Sequence, residues 1–293
     1  MHINKTHTNN NQTVMITFPC AKINLGLNIV KRRPDGYHNL ETVFYPIPLC
    51  DALEVCPMDE LFPAMHPCDL KVTGNAIDCD EQKNLVMKAY YLLAADHKLP
   101  RLHVHLHKQI PSQAGLGGGS SDCAAMITLI NEHCKLGLTT EQMQAYATSL
   151  GADCPFFITG KPAYATGIGE VLTPIEGVAE QLQGRFIAVV KPPVAVSTKE
   201  AYAAITPRKP ERCCRDIVSQ PIKTWRDALV NDFEAPLFAL HPQLSDIKES
   251  LYRLGAIYAQ MSGSGSALFG IFNDKPESVS TLFPDCQTYI VRL

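Results

Sequence analysis

Long apolar segments are missing from this sequence. No uncharged apolar run approaches the ~18 to 20 residues that a helix needs to cross a bilayer. Runs of five or more like charges are missing too, and 26 Lys plus Arg residues nearly balance 29 Asp plus Glu residues, for a net charge of −3. We therefore predict a soluble protein whose main partners are neither nucleic acid nor an anionic membrane.

The 11 cysteines include no C-x-x-C pair, the spacing typical of structural zinc and of redox centres. The apolar segment of a secretory signal is also missing, because the chain starts with MHINKTHTNNNQTV, which carries a polar Asn/Thr tract instead. These absences predict reduced thiols, a cytoplasmic location and a flexible N-terminal tail over residues 1–15.

The length of 293 residues, of which 46% are hydrophobic, corresponds to one large or two modest domains. Strand and helix patterns are mixed in the first half of the chain, and the mixture restarts beyond about residue 169. We therefore predict an α+β fold with an N-terminal domain over residues 16–168 and a C-terminal domain over residues 169–293.

The stretch CAKINLGLNIVKRR, residues 20–33, alternates apolar and polar side chains and predicts a strand with one polar face, on which Lys22 and Asn24 lie. The triplet Pro-Asp-Gly at 34–36 predicts a turn into a returning strand over residues 40–49, with Tyr37 and His38 at the bend. Lys22 therefore lines either solvent or a polar cleft.

Further along, helical spacing predicts a helix over residues 84–97, and alternation predicts a strand over residues 102–108. Two helices follow, over residues 121–134 and 140–150. The second begins with Thr139 and Gln142 at capping-box spacing and ends at Gly151.

A glycine-rich loop, PSQAGLGGGSSD, lies between the predicted strand and helix. Glycines let several backbone N–H groups point at one place, and a following helix adds unpaired N–H groups, so we predict an anion site, with a polyphosphate as the expected ligand. The loop matches neither the P-loop nor the dinucleotide fingerprint, because it lacks Gly-Lys-Ser/Thr and has Ser120 at the last glycine position. A flexible hinge is the alternative.

A second glycine run, MSGSGSALFGIF, lies between two apolar strands. Alone it is equally typical of a tight hairpin. Because small residues allow close approach of another backbone, we predict that it contacts the first glycine loop.

Two further features carry candidate chemistry. Asp153, between a helix end and an apolar run, is predicted to be half-buried, although such a residue is more often a cap or turn residue. His103, His105 and His107 alternate on one strand face, which could bind zinc or nickel; an exposed face without metal is the favoured interpretation.

Three blocks together resemble the motifs of the GHMP small-molecule kinases, in order and spacing: AKINLGLNIVKRRPDGYHNLETVF, then PSQAGLGGGSSD with its helix through LGADCPFF, then MSGSGSALFGIF. The resemblance extends from about residue 16 to the last strand. Within that superfamily the first block is similar to kinases that phosphorylate the 2-hydroxyl of a cytidyl diphosphate methylerythritol, in the non-mevalonate isoprenoid pathway.

The resemblance implies a two-domain GHMP-kinase-like fold, with ATP bound by the N-terminal domain and the active site in the interdomain cleft. It implies that Asp153 accepts the proton of the substrate hydroxyl while Lys22 holds charge beside it. The implied ATP-binding residues are Pro111, Ser112, Gln113, Ala114, Gly115, Leu116, Gly117, Gly118, Gly119, Ser120 and Ser121, with Asn84 near the adenine. The implied substrate-binding residues are Asn24, Tyr37, His38, Lys108, Thr198 and Tyr202.

ATP with Mg²⁺ is the implied cofactor, with no metal held by a dedicated protein site, and the chain is expected to be a monomer or weak homodimer. Two departures from the family pattern stand out. Residues 112–114 replace Met and glycines, and Asp122 stands where an Asn is more familiar. Other GHMP kinases acting on mevalonate, homoserine or a sugar, and a non-catalytic cytidyl-nucleotide-binding protein, are the alternatives.

Overall fold

The computed structural model describes residues 3–7, 13–75 and 79–293. The chain folds into two units. The first contains Met1–Ala21, Cys50–Ser112 and Gly117–Gly160, and the second contains Lys22–Leu49, Gln113–Leu116 and Lys161–Leu293. Each unit is thus assembled from separate stretches of sequence, whereas the domains predicted over 16–168 and 169–293 are continuous; their boundary stays a prediction.

Six strands of the described residues come before the first α-helix, and the other strands lie between groups of helices or after the last of them. They are β1 (Ile3–His7), β2 (Thr13–Thr17), β3 (Cys20–Arg32), β4 (His38–Cys50), β5 (Ala52–Pro57), β6 (Cys68–Gly74), β7 (Leu102–Lys108), β8 (Ala163–Thr166), β9 (Val171–Pro174), β10 (Phe186–Lys191), β11 (Tyr258–Met261), β12 (Leu268–Phe272) and β13 (Gln287–Arg292).

Most of the helices are short; three of the longer ones lie in the first unit and one lies in the second. They are α1 (Leu85–Asp96), α2 (Gly118–His133), α3 (Thr140–Leu150), α4 (Cys154–Thr159), α5 (Val178–Leu182), α6 (Thr198–Ala203), α7 (Cys214–Val218), α8 (Trp225–Ala228), α9 (Glu234–Leu240), α10 (Pro242–Arg253) and α11 (Val279–Leu282). Short 3₁₀ turns cover Glu81–Lys83 and Ile222–Thr224. No helix of the described residues is long and apolar enough to cross a membrane.

The first unit is built on a sheet with strand order β1-β2-β5-β7-β6 in the part of the chain that the structure describes. Neighbouring strands are antiparallel except β6 and β7, which are parallel. One face of β7 buries Leu102, Val104 and Leu106 in a core that α1 and α2 complete. The period-2 alternation of this strand therefore separates an apolar core face from the histidine face.

Helix caps in the first unit follow the sequence signals. The Asn84 side chain accepts a hydrogen bond from the Val86 N–H (2.9 Å) and so begins α1. Thr139 and Gln142 form the predicted capping box of α3. Gly151 ends α3 as predicted, but its φ of 174° is extended backbone, so the end does not depend on glycine.

The second unit contains two sheets, with strand orders β3-β4-β8-β9 and β11-β12-β10-β13 within the described chain. Helix α10 buries Leu244, Ile247 and Leu251 in a core shared with β10 and β12. This spacing is the apolar stripe of a helix that covers a sheet.

The hairpin of β3 and β4 has the predicted turn, in which the Arg33 N–H donates to the Tyr37 carbonyl (2.7 Å) and Gly36 has a φ of 88°. The predicted polar face of β3 exists, but it is not exposed. Lys22 is 3% exposed and Asn24 is 1% exposed. Buried polar side chains must be hydrogen-bonded, so the function of this face depends on its partners.

The predicted N-terminal tail differs from the structure in its described residues. Ile3–His7 pairs with Thr13–Thr17, which in turn pairs with β5. Strand pairing is favoured because the Met15 side chain, 1% exposed, is part of the core of the first unit. The rest of the predicted tail, residues 1, 2 and 8–12, lies outside the described residues.

Candidate active site

The glycine-rich loop after β7 is shorter than predicted, because α2 begins at Gly118 and not at Ser121. Gly117 caps the helix with a φ of 72°. The Ser121 N–H donates to the Gly117 carbonyl (2.9 Å), which is the first hydrogen bond of the helix. The N–H groups of residues 118–120 therefore have no acceptor within the helix. Among the described residues outside the helix's own backbone, the nearest heavy atom to a Cβ added at Gly119 is one of Leu85, 3.9 Å away, so there is space for a ligand beside these donors.

The two glycine runs contact each other within the second unit, as predicted. The Ser262 hydroxyl donates to the Gly115 carbonyl (2.9 Å), and the Ala267 N–H donates to the Ala114 carbonyl (3.2 Å). A Cβ added at Gly115 would lie 2.0 Å from the Ser262 carbonyl oxygen. Only glycine therefore fits at position 115, whose φ of 73° is also left-handed.

Lys22 reaches the same loop from β3. Its ammonium donates to the Asn24 side-chain oxygen (2.7 Å) and to the Gly115 carbonyl (3.0 Å). It also lies 5.0 Å from the centre of the Phe44 ring. Asn24 in turn donates to the Thr42 hydroxyl (3.0 Å). The lysine and asparagine predicted from the first block are thus brought together with one residue of the predicted ATP loop.

Lys108 is the last residue of β7, and its ammonium is paired with two carboxylates. Its ammonium forms ion pairs with Asp51 and with Asp122 (2.6 Å), and all three side chains are buried. A Cβ added at Gly118 would lie 3.3 Å from the Lys108 nitrogen. Substrate binding by Lys108 stays a prediction, and the structure shows its ammonium occupied by carboxylates.

Asp51 also organises the backbone that enters the loop. Its second oxygen accepts hydrogen bonds from the N–H groups of Gln109 (2.6 Å) and Ile110 (2.8 Å). One carboxylate therefore holds both the ammonium of Lys108 and the two residues that precede Pro111. Asp51 was not predicted from the sequence, where its only signal is a single acidic residue between two apolar strands.

The charges of this buried cluster are coupled. Burial raises the pKa of Asp122 to about 8; Lys108 lowers it, and Asp51 raises it. Burial lowers the pKa of Lys108, but Asp122 and Asp51 outweigh this, so its net shift is upward. Asp122 Oδ1 is buried and has no hydrogen-bond partner among the described residues, which is consistent with a carboxyl that carries a proton. Asp122 therefore adds less negative charge beside a phosphate site than its sequence position indicates.

The predicted substrate-binding aromatic residues lie in the second unit. The rings of His38 and Tyr202 are stacked with centroids 5.0 Å apart, and Tyr202 also contacts Phe233 edge to face. Tyr37 is 61% exposed at the hairpin turn. The structure thus brings His38 and Tyr202 together from distant parts of the chain.

Three other predicted site residues lie at the starts of helices. Asn84 caps α1, so its place near an adenine stays a prediction. Thr198 is exposed at the first position of α6. Asp153 is half-buried, as predicted, at the N-cap position of α4 in the first unit.

Among the described residues, no group of three His, Cys, Asp or Glu side chains is placed to hold a metal ion. On the histidine face, His103 contacts Asp69 (2.9 Å), and His105 and His107 both contact the Thr73 hydroxyl (2.9 and 3.0 Å). These partners come from the parallel neighbour β6, which sequence spacing does not reveal.

Asn231 is a second residue that the sequence analysis missed. Its amide donates to the carbonyls of Met261 (2.8 Å) and Gly263 (2.9 Å), and its side-chain oxygen accepts from the Phe233 N–H (3.0 Å). Asn231 therefore holds the backbone of the second glycine run in place through these hydrogen bonds. It comes after an apolar stretch without any motif, so no local signal could have identified it.

The buried carboxyl of Asp122 predicts a pH-dependent stability difference. Its pKa is raised on folding, so between about pH 4 and pH 8 the folded protein holds a proton that the unfolded chain has already released. The contribution of this proton to the free energy of unfolding is complete at low pH, falls as the pH rises from about 4, and is lost once the pH has risen through about 8. We expect Asp122→Asn to become more stable relative to the unmodified protein as the pH rises, by at most about 1.4 kcal/mol per pH unit.

Urea unfolding of both proteins from about pH 5 to about pH 9 measures this difference. Asp274→Asn, at an exposed acid, is the matched control. A difference between Asp122→Asn and the unmodified protein that does not change with pH would contradict the protonated carboxyl.

Two parts of the chain match models of known protein families. Residues 84–161 match the model of the GHMP kinases N terminal domain, and residues 215–281 match that of the GHMP kinases C terminal domain. Among solved structures, a 4-(cytidine 5'-diphospho)-2C-methyl-D-erythritol kinase superposes with a TM-score of 0.77 at 31% identity, over 94% of this chain and 98% of that one. The Methanococcus jannaschii mevalonate kinase has a TM-score of 0.68 at 14% identity, over 98% of each chain, and so shares the fold.

Curated relatives are similar over almost their whole length. The 4-diphosphocytidyl-2-C-methyl-D-erythritol kinase of Parabacteroides distasonis is 47% identical over 93% of this chain and 97% of its own. The protein of the same name from Bacteroides thetaiotaomicron is 50% identical over 88% of this chain and 92% of its own. The predicted resemblance is confirmed: this chain is a GHMP kinase with the GHMP-kinase fold, and it belongs to the family of the 4-diphosphocytidyl-2-C-methyl-D-erythritol kinases.

Proposed function

We propose that this chain transfers the γ-phosphoryl group of ATP to the 2-hydroxyl of 4-diphosphocytidyl-2-C-methyl-D-erythritol, a step of non-mevalonate isoprenoid biosynthesis. Family membership supports the reaction. The observation that carries the proposal is the contact of the Lys22 ammonium with the Gly115 carbonyl, because it brings the lysine of the first block to the glycine loop. A module that only binds nucleotide has no need of that lysine.

Phosphoryl transfer depends on positioning and on neutralising phosphate charge more than on covalent chemistry. In the proposed mechanism the N–H groups at the start of α2 bind the phosphates of ATP. Asp153 accepts the proton of the attacking hydroxyl, and Lys22 stabilises the negative charge that develops there. Asn24 orients the Lys22 ammonium through their hydrogen bond (2.7 Å).

Mg²⁺ supplies charge neutralisation when it is bound with ATP. Asp122 does not fit a magnesium ligand, because one oxygen is paired with Lys108 and burial raises its pKa to about 8, which favours the protonated form. We therefore propose that Mg²⁺ enters with the nucleotide phosphates, and no step is assigned to a protein-held ion.

The substrate assignments depend on the aromatic residues of the second unit. We propose that Tyr202 stacks on cytosine and that His38, beside it, donates or accepts hydrogen bonds at the base edge. Tyr37 supplies a second ring, and Thr198 and Lys108 are assigned to the diphosphate on family grounds. We further propose a cytoplasmic enzyme, monomeric or weakly dimeric.

The substrate proposal predicts the outcome of an alcohol panel. ADP release is measured with the cytidyl diphosphate methylerythritol, mevalonate, homoserine and galactose, each with MgATP. We expect turnover with the first alone. Turnover of a different alcohol with the first one inert would contradict the substrate, and ADP release with none of them would favour a binding protein.

The catalytic pair predicts large losses of rate. Asp153→Asn and Lys22→Met should each lower kcat by ~10² or more, because the first removes the proton acceptor and the second removes the charge beside it. Lys31→Met, at an exposed lysine of the same strand β3, is the matched control and should keep normal turnover. Turnover near that of the unmodified protein in Asp153→Asn would remove Asp153 from the role of base.

The Tyr202 ring predicts a binding effect confined to one substrate. Stacking on a base contributes about 1–3 kcal/mol, so Tyr202→Ala should raise KM for the cytidyl substrate by about tenfold or more while KM for ATP is unchanged. Tyr202→Phe keeps the ring and is the control. An equal rise of both KM values in Tyr202→Ala would indicate a general loss of structure.

A further inference from the structure

Two cysteines lie at the open end of the β3–β4 hairpin. Cys20 is the first residue of β3 and Cys50 is the last residue of β4. Both are free, partly exposed thiols, and both belong to the first unit. Neither has a role in the proposed reaction.

The hydrogen bonds at this end establish the register of the two strands. The Asp51 N–H donates to the Pro19 carbonyl (2.9 Å), so Pro19 and Asp51 are a hydrogen-bonded pair of an antiparallel ladder. Hydrogen-bonded and non-hydrogen-bonded pairs alternate along such a ladder. The next pair inward is Cys20 and Cys50, and it is a non-hydrogen-bonded pair.

Two independent features agree with this register. Pro46 and Pro48 lie four and two residues before Cys50 in β4, at positions whose nitrogen faces away from β3 in this register. Proline has no N–H, so these are the positions at which it costs the ladder nothing. The Lys22 N–H, two residues after Cys20, likewise points away from β4 and donates to the Leu116 carbonyl (2.9 Å).

Residues of a non-hydrogen-bonded pair have their Cα atoms about 4.5 Å apart and their side chains on the same face. Disulfides join cysteines whose Cα atoms are about 4.4 to 6.8 Å apart. The backbone can therefore accommodate a bond between the two sulfur atoms if the strand ends move apart by about 1 Å, toward the separation most common in disulfides. Burial raises the pKa of Cys20 to about 11, and the next contribution is the charge of Cys50, as expected for neighbouring thiols.

We propose that Cys20 and Cys50 form a redox-modification site, in which an oxidant joins the two thiols into a cross-strand disulfide that lowers phosphotransfer. A diazene such as diamide is a sufficient oxidant. One thiolate adds to the N=N bond, the second sulfur attacks the first, and the hydrazine leaves with both electrons and both thiol protons on its nitrogens. The disulfide that forms is the only new bond in the protein.

The consequence for activity rests on the proposed function and on the residues that neighbour each cysteine in the chain. Lys22 is two residues beyond Cys20, and Asp51, which holds Lys108 and the backbone of residues 109 and 110, is next to Cys50. A Cα separation near the short limit for a disulfide means that closing the bond pushes the strand ends apart. Displacements of this kind at positioning residues cost up to about 10² in rate.

The experiment treats the purified protein with diamide, blocks the remaining thiols and maps disulfides by peptide mass spectrometry. We expect a linkage between the peptides of Cys20 and Cys50, a fall in phosphotransfer of about tenfold or more, and recovery with dithiothreitol. Cys20→Ser and Cys50→Ser should keep their activity in diamide, whereas Cys79→Ser, at an exposed cysteine, should respond like the unmodified protein.

The mapping does not depend on the kinase assignment, so failure of the two proposals is distinguishable. Cys20 and Cys50 recovered as separate blocked thiols after diamide would overturn the site. A mapped linkage with unchanged phosphotransfer, or equal inhibition of Cys20→Ser, would overturn the effect on activity.

Discussion

The close approach of backbone at Gly115 is the constraint on which the candidate site depends. A side chain at this position would meet the Ser262 carbonyl at 2.0 Å, and the Gly115 carbonyl itself accepts hydrogen bonds from Ser262 and from Lys22. One glycine therefore connects the first glycine loop, the second glycine run and the lysine of β3. Because packed backbones leave no freedom for adjustment, this contact fixes the position of the Lys22 ammonium.

A second arrangement, a cluster of buried charged side chains, holds the backbone that enters the loop. Asp51 binds Lys108 and two backbone N–H groups, while Asp122 shares the same ammonium. One ammonium balances only one of the two buried carboxylates, so the cluster avoids an unpaired negative charge only if the other carboxyl carries a proton. The raised pKa of Asp122 is consistent with that state. The raised pKa favours the protonated carboxyl at this position, which like the amide of the more familiar Asn carries no charge.

Several parts of the fold could be predicted because their signals are local. The capping box at Thr139 and Gln142 and the turn at Gly36 depend on residues that are neighbours in sequence, and the structure has both. The start of α2 was predicted three residues late, because glycine is a poor helix former and its three amides in the first turn need no helical partner. The N-terminal strands were missed, since β1 pairs with β2 and β2 in turn pairs with β5, about forty positions along the chain.

The sequence by itself determined the family and the two glycine loops, because these are carried by residue identity and spacing within short blocks. The same blocks point to Lys22 and Asp153, whose catalytic roles stay a prediction. Only the tertiary structure decided that the polar face of β3 is buried, that Asp51 and Asp122 bind Lys108, and that Cys20 faces Cys50. The physical reason is that these features are contacts between segments distant in the chain. Their energies depend on distance and burial, which no local pattern of residues specifies.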